Sequence, residues 1–128
     1  MTLDSSVLVA ILFAEPGYLD LLDRILAADH VRVGAPTLVE TGLVFSGRKA
    51  ARSAESVEGL IRELSVTTVP FGEGEWRVAI EAFRRFGRGR HPAALNYGDC
   101  LAYATAKTAR DTLLFVGDDF SKTDITPA

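Results

Sequence analysis

The chain has 128 residues, of which 48% are hydrophobic and 24% charged, so it is long enough for one domain with a single core and too apolar for a disordered protein. Its formal net charge of −3 excludes the broadly basic surface of a protein that coats nucleic acid without sequence preference. The single cysteine, Cys100, cannot form an internal disulfide, and no stretch has the roughly 20 apolar residues of a transmembrane helix. We therefore expect one domain over residues 1–128, a cytoplasmic location and no membrane association.

The first half of the chain predicts short strands that alternate with helices. Residues 2–3 predict a very short strand, and a helix capped by Ser5 or Ser6 follows over roughly residues 7–13. The next helix has apolar residues at the spacing of one buried face, which are Tyr18, Leu19, Leu22, Ile25 and Leu26.

The next two predicted elements are a strand and a third helix. Residues 30–33 predict the strand. Pro36 suits the first turn of a helix whose body, residues 38–45, is mostly apolar and contains Glu40.

The second half of the chain continues the alternation. Two amphipathic helices are indicated by apolar faces, formed by Ala54, Val57, Ile61 and Leu64 in one and by Trp76, Ala79, Ile80 and Phe83 in the other. Residues 66–69 predict a strand between them, residues 84–91 a loop, residues 96–110 a helix rich in small residues, and residues 113–116 a buried strand. This alternation predicts an α/β protein, a three-layer α/β/α sandwich with a short central parallel sheet.

Acidic residues follow two of the predicted strands. Asp4 and Asp118 are each the first carboxylate after a strand, and the carboxyl ends of parallel strands meet at one edge of a sheet. Glu40 lies between apolar neighbours, where a lone charge would be costly unless paired or bound to a metal. We expect these acids to converge at one rim.

Each acid also has a structural explanation when it is taken alone. Asp4 could cap the first helix, and Asp99 follows Asn96 at the spacing of a helix N-terminal cap. Asp118 suits a turn, and Glu40 could face solvent. The joint pattern favours a cluster that needs cations, and oxygen-only ligands select Mg²⁺ or Mn²⁺, the ions of phosphodiester hydrolysis.

Four blocks of sequence occur in a characteristic order. They are residues 2–10 (TLDSSVLVA), 38–41 (LVET), 95–100 (LNYGDC) and 113–120 (LLFVGDDF), the last followed by TDI at 123–125. Together these blocks resemble the PIN-domain nucleases over nearly the whole chain, and in particular the VapC-type toxins of bacterial toxin–antitoxin pairs.

The resemblance implies which acids form the active site. Asp4, Glu40, Asp99 and one acid of the Asp118/Asp119 pair would be catalytic, with Asp4 and Asp99 as the principal metal ligands. We favour Asp118, which comes first after the strand, and expect Asp119 to bond to the backbone of the turn or helix. Ser6 resembles the supporting polar residue of the family.

The resemblance also implies an activity and its partners. It implies an endoribonuclease with Mg²⁺, or Mn²⁺ in its place, which forms a homodimer and is silenced by a small antitoxin. Residues 84–91 hold positive charge without any acid, and arginine suits phosphate, so we expect Arg84, Arg85, Arg88 and Arg90 to contact the RNA backbone. A solvated loop is the alternative for this segment.

Two other functions fit part of the pattern. A catalytically silent RNA-binding domain of PIN type is disfavoured because every acid that the family requires is present. A phospho-accepting receiver domain would share the length and the strand-end acids, but it needs a lysine at the pocket. None of the three lysines directly follows a predicted strand.

Overall fold

Four short strands form one parallel sheet in the computed structural model, which describes residues 1–48 and 53–128. The strands are β1 (Thr2–Leu3), β2 (Arg32–Gly34), β3 (Thr67–Val69) and β4 (Leu113–Leu114). Their order across the sheet is β3-β2-β1-β4, and every neighbouring pair is parallel. The predicted parallel sheet is confirmed, although β4 ends at Leu114 rather than at residue 116.

Six helices connect the strands within the described residues. They are α1 (Ser5–Leu12), α2 (Tyr18–Leu26), α3 (Ala35–Arg48), α4 (Ser53–Glu63), α5 (Glu73–Phe86) and α6 (Tyr97–Thr108). A 3₁₀ turn, Phe120–Lys122, follows β4. None of the helices in this part of the chain is both long and apolar enough to cross a membrane.

The helices cover both faces of the sheet, and each face carries its own apolar core. One core is built largely from α5 and α6 and contains Leu113, whereas the other is built largely from α1 and α2 and contains Leu114. The two leucines separate because successive side chains of a strand point to opposite faces of the sheet. The predicted three-layer α/β/α sandwich is confirmed.

The buried faces of α2 and α5 differ from the predicted ones. The buried residues are Leu21 and Ile25 in α2 and Ala79, Ala82 and Phe86 in α5. The predicted members that are exposed instead are Leu19, Leu26, Trp76, Ile80 and Phe83. Both helices carry large apolar residues on more than one face, and small alanines let α5 approach α6 closely, so packing rather than side-chain size selects the face.

Two predicted boundaries near the candidate site are wrong. Helix α1 begins at Ser5, and its N-cap is Asp4 rather than a serine. Helix α5 continues to Phe86, so the first two arginines of the predicted loop lie in its last turn.

Candidate active site

Asp4 lies directly after β1, forms the N-cap of α1, and is only 3% exposed. Its Oδ2 accepts hydrogen bonds from the Ser6 N–H at 3.0 Å and from the Ser6 hydroxyl at 2.5 Å. The same hydroxyl oxygen accepts a hydrogen bond from the Val116 N–H at 3.0 Å, which directs the Ser6 proton toward Asp4. Asp4 Oδ1 is buried and has no hydrogen-bond partner among the described residues. One oxygen is thus fixed, and the other is left to bind a ligand.

Asp99 lies in the first turn of α6 and forms a capping box with Asn96. The Asn96 N–H donates to Asp99 Oδ2 at 2.7 Å, and the Asp99 N–H donates to Asn96 Oδ1 at 3.0 Å. Burial nevertheless raises the pKa of Asp99 to about 6, against the lowering effect of the Asn96 hydrogen bond, and the negative charges of Asp4 and Asp119 add to the rise. Asp99 therefore starts the helix and also belongs to a group of mutually repelling acids.

Glu40 reaches the same acids from α3, but its immediate neighbours do not bury it as predicted. Val39 is 63% exposed and Leu43 69% exposed. The Glu40 carboxylate instead lies against Gly98 of α6, and a Cβ at position 98 would overlap it. Gly98 was not among the predicted site residues; a glycine directly before Asp99 was the signal that could have indicated it.

The surroundings of the Glu40 side chain disfavour its ionised form. Burial raises the pKa of Glu40, a hydrogen bond with the Ser5 side chain lowers it, and the charges of Asp4 and Asp99 raise it further. Glu40 Oε2 is buried without a hydrogen-bond partner within residues 1–48 and 53–128. Burial likewise raises the pKa of Asp4.

Asp118 and Asp119 have different surroundings. Asp118 Oδ1 accepts a hydrogen bond from the Ser121 hydroxyl at 2.6 Å, and Asp118 pairs with Lys122 at 3.4 Å; these contacts lower the pKa of Asp118. Asp119, expected to bond to the backbone, makes no such cap, and its charge raises the pKa of Asp4 and of Asp99. Its electrostatic effect on Asp4 and Asp99 favours Asp119 over Asp118 as the acid near those two residues. Which of the two serves catalysis stays a prediction.

These four acids, Asp4, Glu40, Asp99 and Asp119, are called the acidic cluster below. They offer only oxygen donors, two of them buried without a partner, and this donor set fits Mg²⁺ or Mn²⁺. No three histidine, cysteine or acidic side chains of the described residues come close enough to enclose a metal. Mg²⁺ commonly takes only one or two carboxylates and keeps several waters, so Asp4 and Asp99 alone would suffice to hold it.

The arginines of residues 84–91 fall into two groups. Arg84 donates to both carboxylate oxygens of Glu81 at 2.7 and 2.6 Å, and Arg85 pairs with Asp124 at 3.1 Å. The loop after α5 carries the other two, Arg88 and Arg90. That all four contact RNA stays a prediction.

Comparison with known proteins identifies the family. The PIN domain family profile matches residues 1–125 of the chain. The chain belongs to the PIN domain family. This PIN domain is 39% identical to a ribonuclease VapC of Mycolicibacterium smegmatis over 126 residues, which are 98% of this chain and 97% of that protein. It is 37% identical to ribonuclease VapC36 of Mycobacterium tuberculosis over 126 residues, 98% of this chain and 91% of that protein.

Solved structures share the fold at much lower sequence identity. The PIN domain superposes with a TM-score of 0.77 on Mycobacterium tuberculosis VapC20, a Sarcin-Ricin loop cleaving toxin, at 16% identity and over 99% of this chain and 97% of that chain. A toxin–antitoxin complex from Klebsiella pneumoniae gives a TM-score of 0.71 at 14% identity, with 99% and 97% of the two chains covered. At these identities the likeness establishes the fold alone.

Proposed function

We propose that the protein is a Mg²⁺-dependent endoribonuclease and the toxin of a toxin–antitoxin pair. The observation that carries the proposal is the acidic cluster, in which Asp4 Oδ1 and Glu40 Oε2 are buried and find no hydrogen-bond partner in the part of the chain that the structure describes. Buried carboxylates that repel one another are costly unless a cation neutralises them. The ribonuclease relatives at 37–39% identity support RNA as the substrate.

Different residues of the chain are proposed to hold the ion and to accept a proton during hydrolysis. Asp4, oriented by Ser6, and Asp99, oriented by Asn96, are the residues that would hold the ion. When bound, Mg²⁺ offsets their charge and lowers the pKa of water in its hydration shell. Glu40 Oε2, buried and with a raised pKa, takes the proton of the attacking water. The water oxygen bonds to phosphorus, the P–O3′ bond breaks and O3′ takes a proton from solvent water, while Glu40 releases its proton to solvent, so the products carry a 5′-phosphate and a 3′-hydroxyl.

We assign the role of the fourth acid to Asp119 and give Asp118 a different task. The Ser121 hydroxyl donates to both the backbone carbonyl and the carboxylate of Asp118, each at 2.6 Å. These bonds hold the turn that carries Asp119. The assignment replaces our sequence-based preference for Asp118.

A small antitoxin is proposed as the protein partner. A basic side chain of the antitoxin in the acidic cluster would relieve carboxylate repulsion as a metal does. An apolar groove of about 560 Å³ between α3 and α4, lined by residues that include Leu38, Val57 and Ile61, offers a docking surface for the rest of it. Purification from the native operon with no small partner would contradict this proposal.

A second copy of the chain is proposed to cover an apolar face beside the site. Trp76, Ile80 and Phe83 on α5 and Tyr97 at the start of α6 are 46%, 63%, 40% and 79% exposed. Ile80, Phe83 and Tyr97 line one apolar depression. Contiguous exposed apolar surface marks an interaction site, and the predicted homodimer would bury it.

Cleavage of RNA by the purified protein in Mg²⁺, in Mn²⁺ and in excess EDTA tests the proposed activity. We expect cleavage with either ion, none in EDTA, and 5′-phosphate and 3′-hydroxyl ends; sequencing the 5′ ends gives the site preference. Full activity in EDTA, or 2′,3′-cyclic phosphate ends, would defeat the mechanism. Binding of RNA without cleavage under all conditions would favour the silent RNA-binding alternative.

A further inference from the structure

One arginine of the segment 84–91 has a side chain without a partner of its own. The two arginines at the end of α5 are held in ion pairs, and the Arg90 guanidinium carbon lies 5.4 Å from the centroid of the Phe83 ring. For Arg88, the described residues provide no ion pair, side-chain hydrogen bond or ring contact, and the residue is exposed. Its guanidinium is available to a ligand.

The backbone of Arg88 is fixed beside the start of α6. Its N–H donates to the Leu95 carbonyl at 3.0 Å, and the Leu95 N–H donates to the Phe86 carbonyl at 2.9 Å. Leu95 is fully buried and directly precedes Asn96, the N-cap that binds Asp99. The loop therefore carries Arg88 to the edge of the acidic cluster.

The loop itself is braced by its own hydrogen bonds. The N–H groups of Arg90 and His91 both donate to the Gly87 carbonyl, at 3.0 and 3.2 Å, and the Ala94 N–H donates to the His91 carbonyl at 2.9 Å. Gly89 adopts a φ of +77°, which only glycine enters readily. A side chain on such a loop is preorganised, so little conformational entropy is lost when it binds a ligand.

The charge of Arg88 also acts on the acidic cluster. Arg88 lies within electrostatic range of Asp99, as its backbone contact beside the start of α6 requires.

Building on the RNA hydrolysis proposed above, we propose that Arg88 is a catalytic residue whose guanidinium binds the phosphate that is hydrolysed, whereas Arg84 and Arg85 serve the fold. Attack of the water oxygen on phosphorus adds negative charge to the non-bridging oxygens until the P–O3′ bond breaks and O3′ takes a proton. A guanidinium presents two parallel N–H donors at the spacing of two such oxygens. Donors that meet charge as it develops lower the barrier more than they tighten substrate binding.

Arg88→Ala, compared with Arg77→Ala, tests the proposal. Arg77 is an exposed arginine of α5 paired with Glu73, so its removal changes the net charge equally without touching the site. We expect Arg88→Ala to lower kcat on the order of 100-fold with a smaller change in KM, and Arg77→Ala to cleave like wild type. Added guanidinium ion at millimolar concentration should restore part of the activity of Arg88→Ala and none in the control.

Arg88→Lys keeps the charge but loses the planar fork, so we expect about a tenfold loss at an unchanged melting temperature. If Arg88→Ala does not fold, Arg88→Lys decides the question, because cleavage by Arg88→Lys at the wild-type rate would overturn the proposal. Cleavage by Arg88→Ala equal to that of Arg77→Ala would overturn it as well and leave the ribonuclease function standing. Failure of the wild type to cleave RNA in Mg²⁺ would overturn both.

Discussion

Asp4 caps α1, Asp99 completes the capping box of α6 with Asn96, and both belong to the acidic cluster. Ser6 occupies Asp4 Oδ2 and leaves Oδ1 without a partner, and Asn96 occupies Asp99 Oδ2. The cap orients the carboxylate, while burial disfavours its charged form. Capping and function are alternatives when each acid is taken alone in the sequence, but in this fold the cap orients the carboxylate for the cluster.

Replacing Asp99 with asparagine keeps an oxygen that accepts the Asn96 N–H and removes one charge from the cluster. We expect RNA cleavage to be lost and the metal-free protein to be as stable as wild type or more stable. The folded-state pKa of Asp99, about 6, lies above its ordinary value of 3.8. The stability of the wild type relative to the variant is therefore highest below about pH 4, and it falls as the pH rises through 6. The loss should be about 1 kcal/mol once partial solvent exposure is allowed for.

Urea melts of both proteins at pH 4 and pH 7, with and without Mg²⁺, and one cleavage gel check this prediction. Mg²⁺ should stabilise Asp99→Asn less than wild type. The stabilisation that a ligand gives grows with its affinity for the native state, and the variant should bind the ion more weakly. If Asp99 only starts the helix, the variant will cleave RNA and lose roughly 0.3–1 kcal/mol of stability at neutral pH.

Asp118→Asn and Asp119→Asn form a matched pair, since the two residues are adjacent and the charge change is the same. We expect Asp119→Asn to reduce cleavage strongly, because its charge acts on the other acids. Asp118→Asn should retain most activity and lose only a little stability, because its partners are the exposed Ser121 and Lys122. Cleavage rates and melting temperatures of both variants decide the assignment; the opposite ranking of rates would restore Asp118.

At the scale of elements, the order and type of every helix and strand were predictable, because each has a clear apolar spacing or a clear terminator. The buried faces of α2 and α5 were not, since each helix carries large apolar residues beside its buried face as well as on it, and only the neighbouring helix decides which of them are covered. The rule that acids after parallel strands meet at one rim led to Asp4 and Asp118, whereas Asp99 was placed in the site only by the family resemblance. The approach of Glu40 to Gly98 was not predictable, because it depends on the distance between α3 and α6.

Gly98→Ala probes that approach between helices. Alanine is a better helix former than glycine by about 1 kcal/mol in a helix interior, and at position 98, the second residue of α6, a smaller gain in stability is expected. A Cβ at position 98 overlaps the Glu40 carboxylate, whose flexible stem can swing aside at little cost. We therefore expect cleavage to fall at least tenfold while the melting temperature is kept or raised.

Gly59→Ala is the control for this substitution, because a Cβ there meets nothing within 4 Å and the position also lies inside a helix, α4. It should raise stability and leave cleavage unchanged. Equal activity of the two variants would show that the position of Glu40 does not matter for the reaction.

At the scale of the whole molecule, the sheet brings together acids from four separate segments, and two cores hold those segments in place. The same architecture leaves one side of α5 without a cover. Ile80, Phe83 and Tyr97 meet there, and Tyr97 belongs to the same first turn of α6 as Asp99. A face of this kind on an otherwise acidic, well-packed domain predicts a self-association site rather than a random exposure of single apolar residues.

Ile80→Glu, compared with Leu19→Glu, tests whether that face forms the homodimer. The two residues are matched in exposure, at 63% and 61%, and Leu19 lies on α2, outside the apolar face. A stable dimer buries about 800 Å² on each partner, and a glutamate at its centre would have to be desolvated without a counter-charge. Light scattering after gel filtration at micromolar concentration should give twice 13.8 kDa for the wild type and for Leu19→Glu, and 13.8 kDa for Ile80→Glu. A monomeric wild type would show that the protein does not self-associate. A dimer that persists in Ile80→Glu would show that the interface lies on another surface.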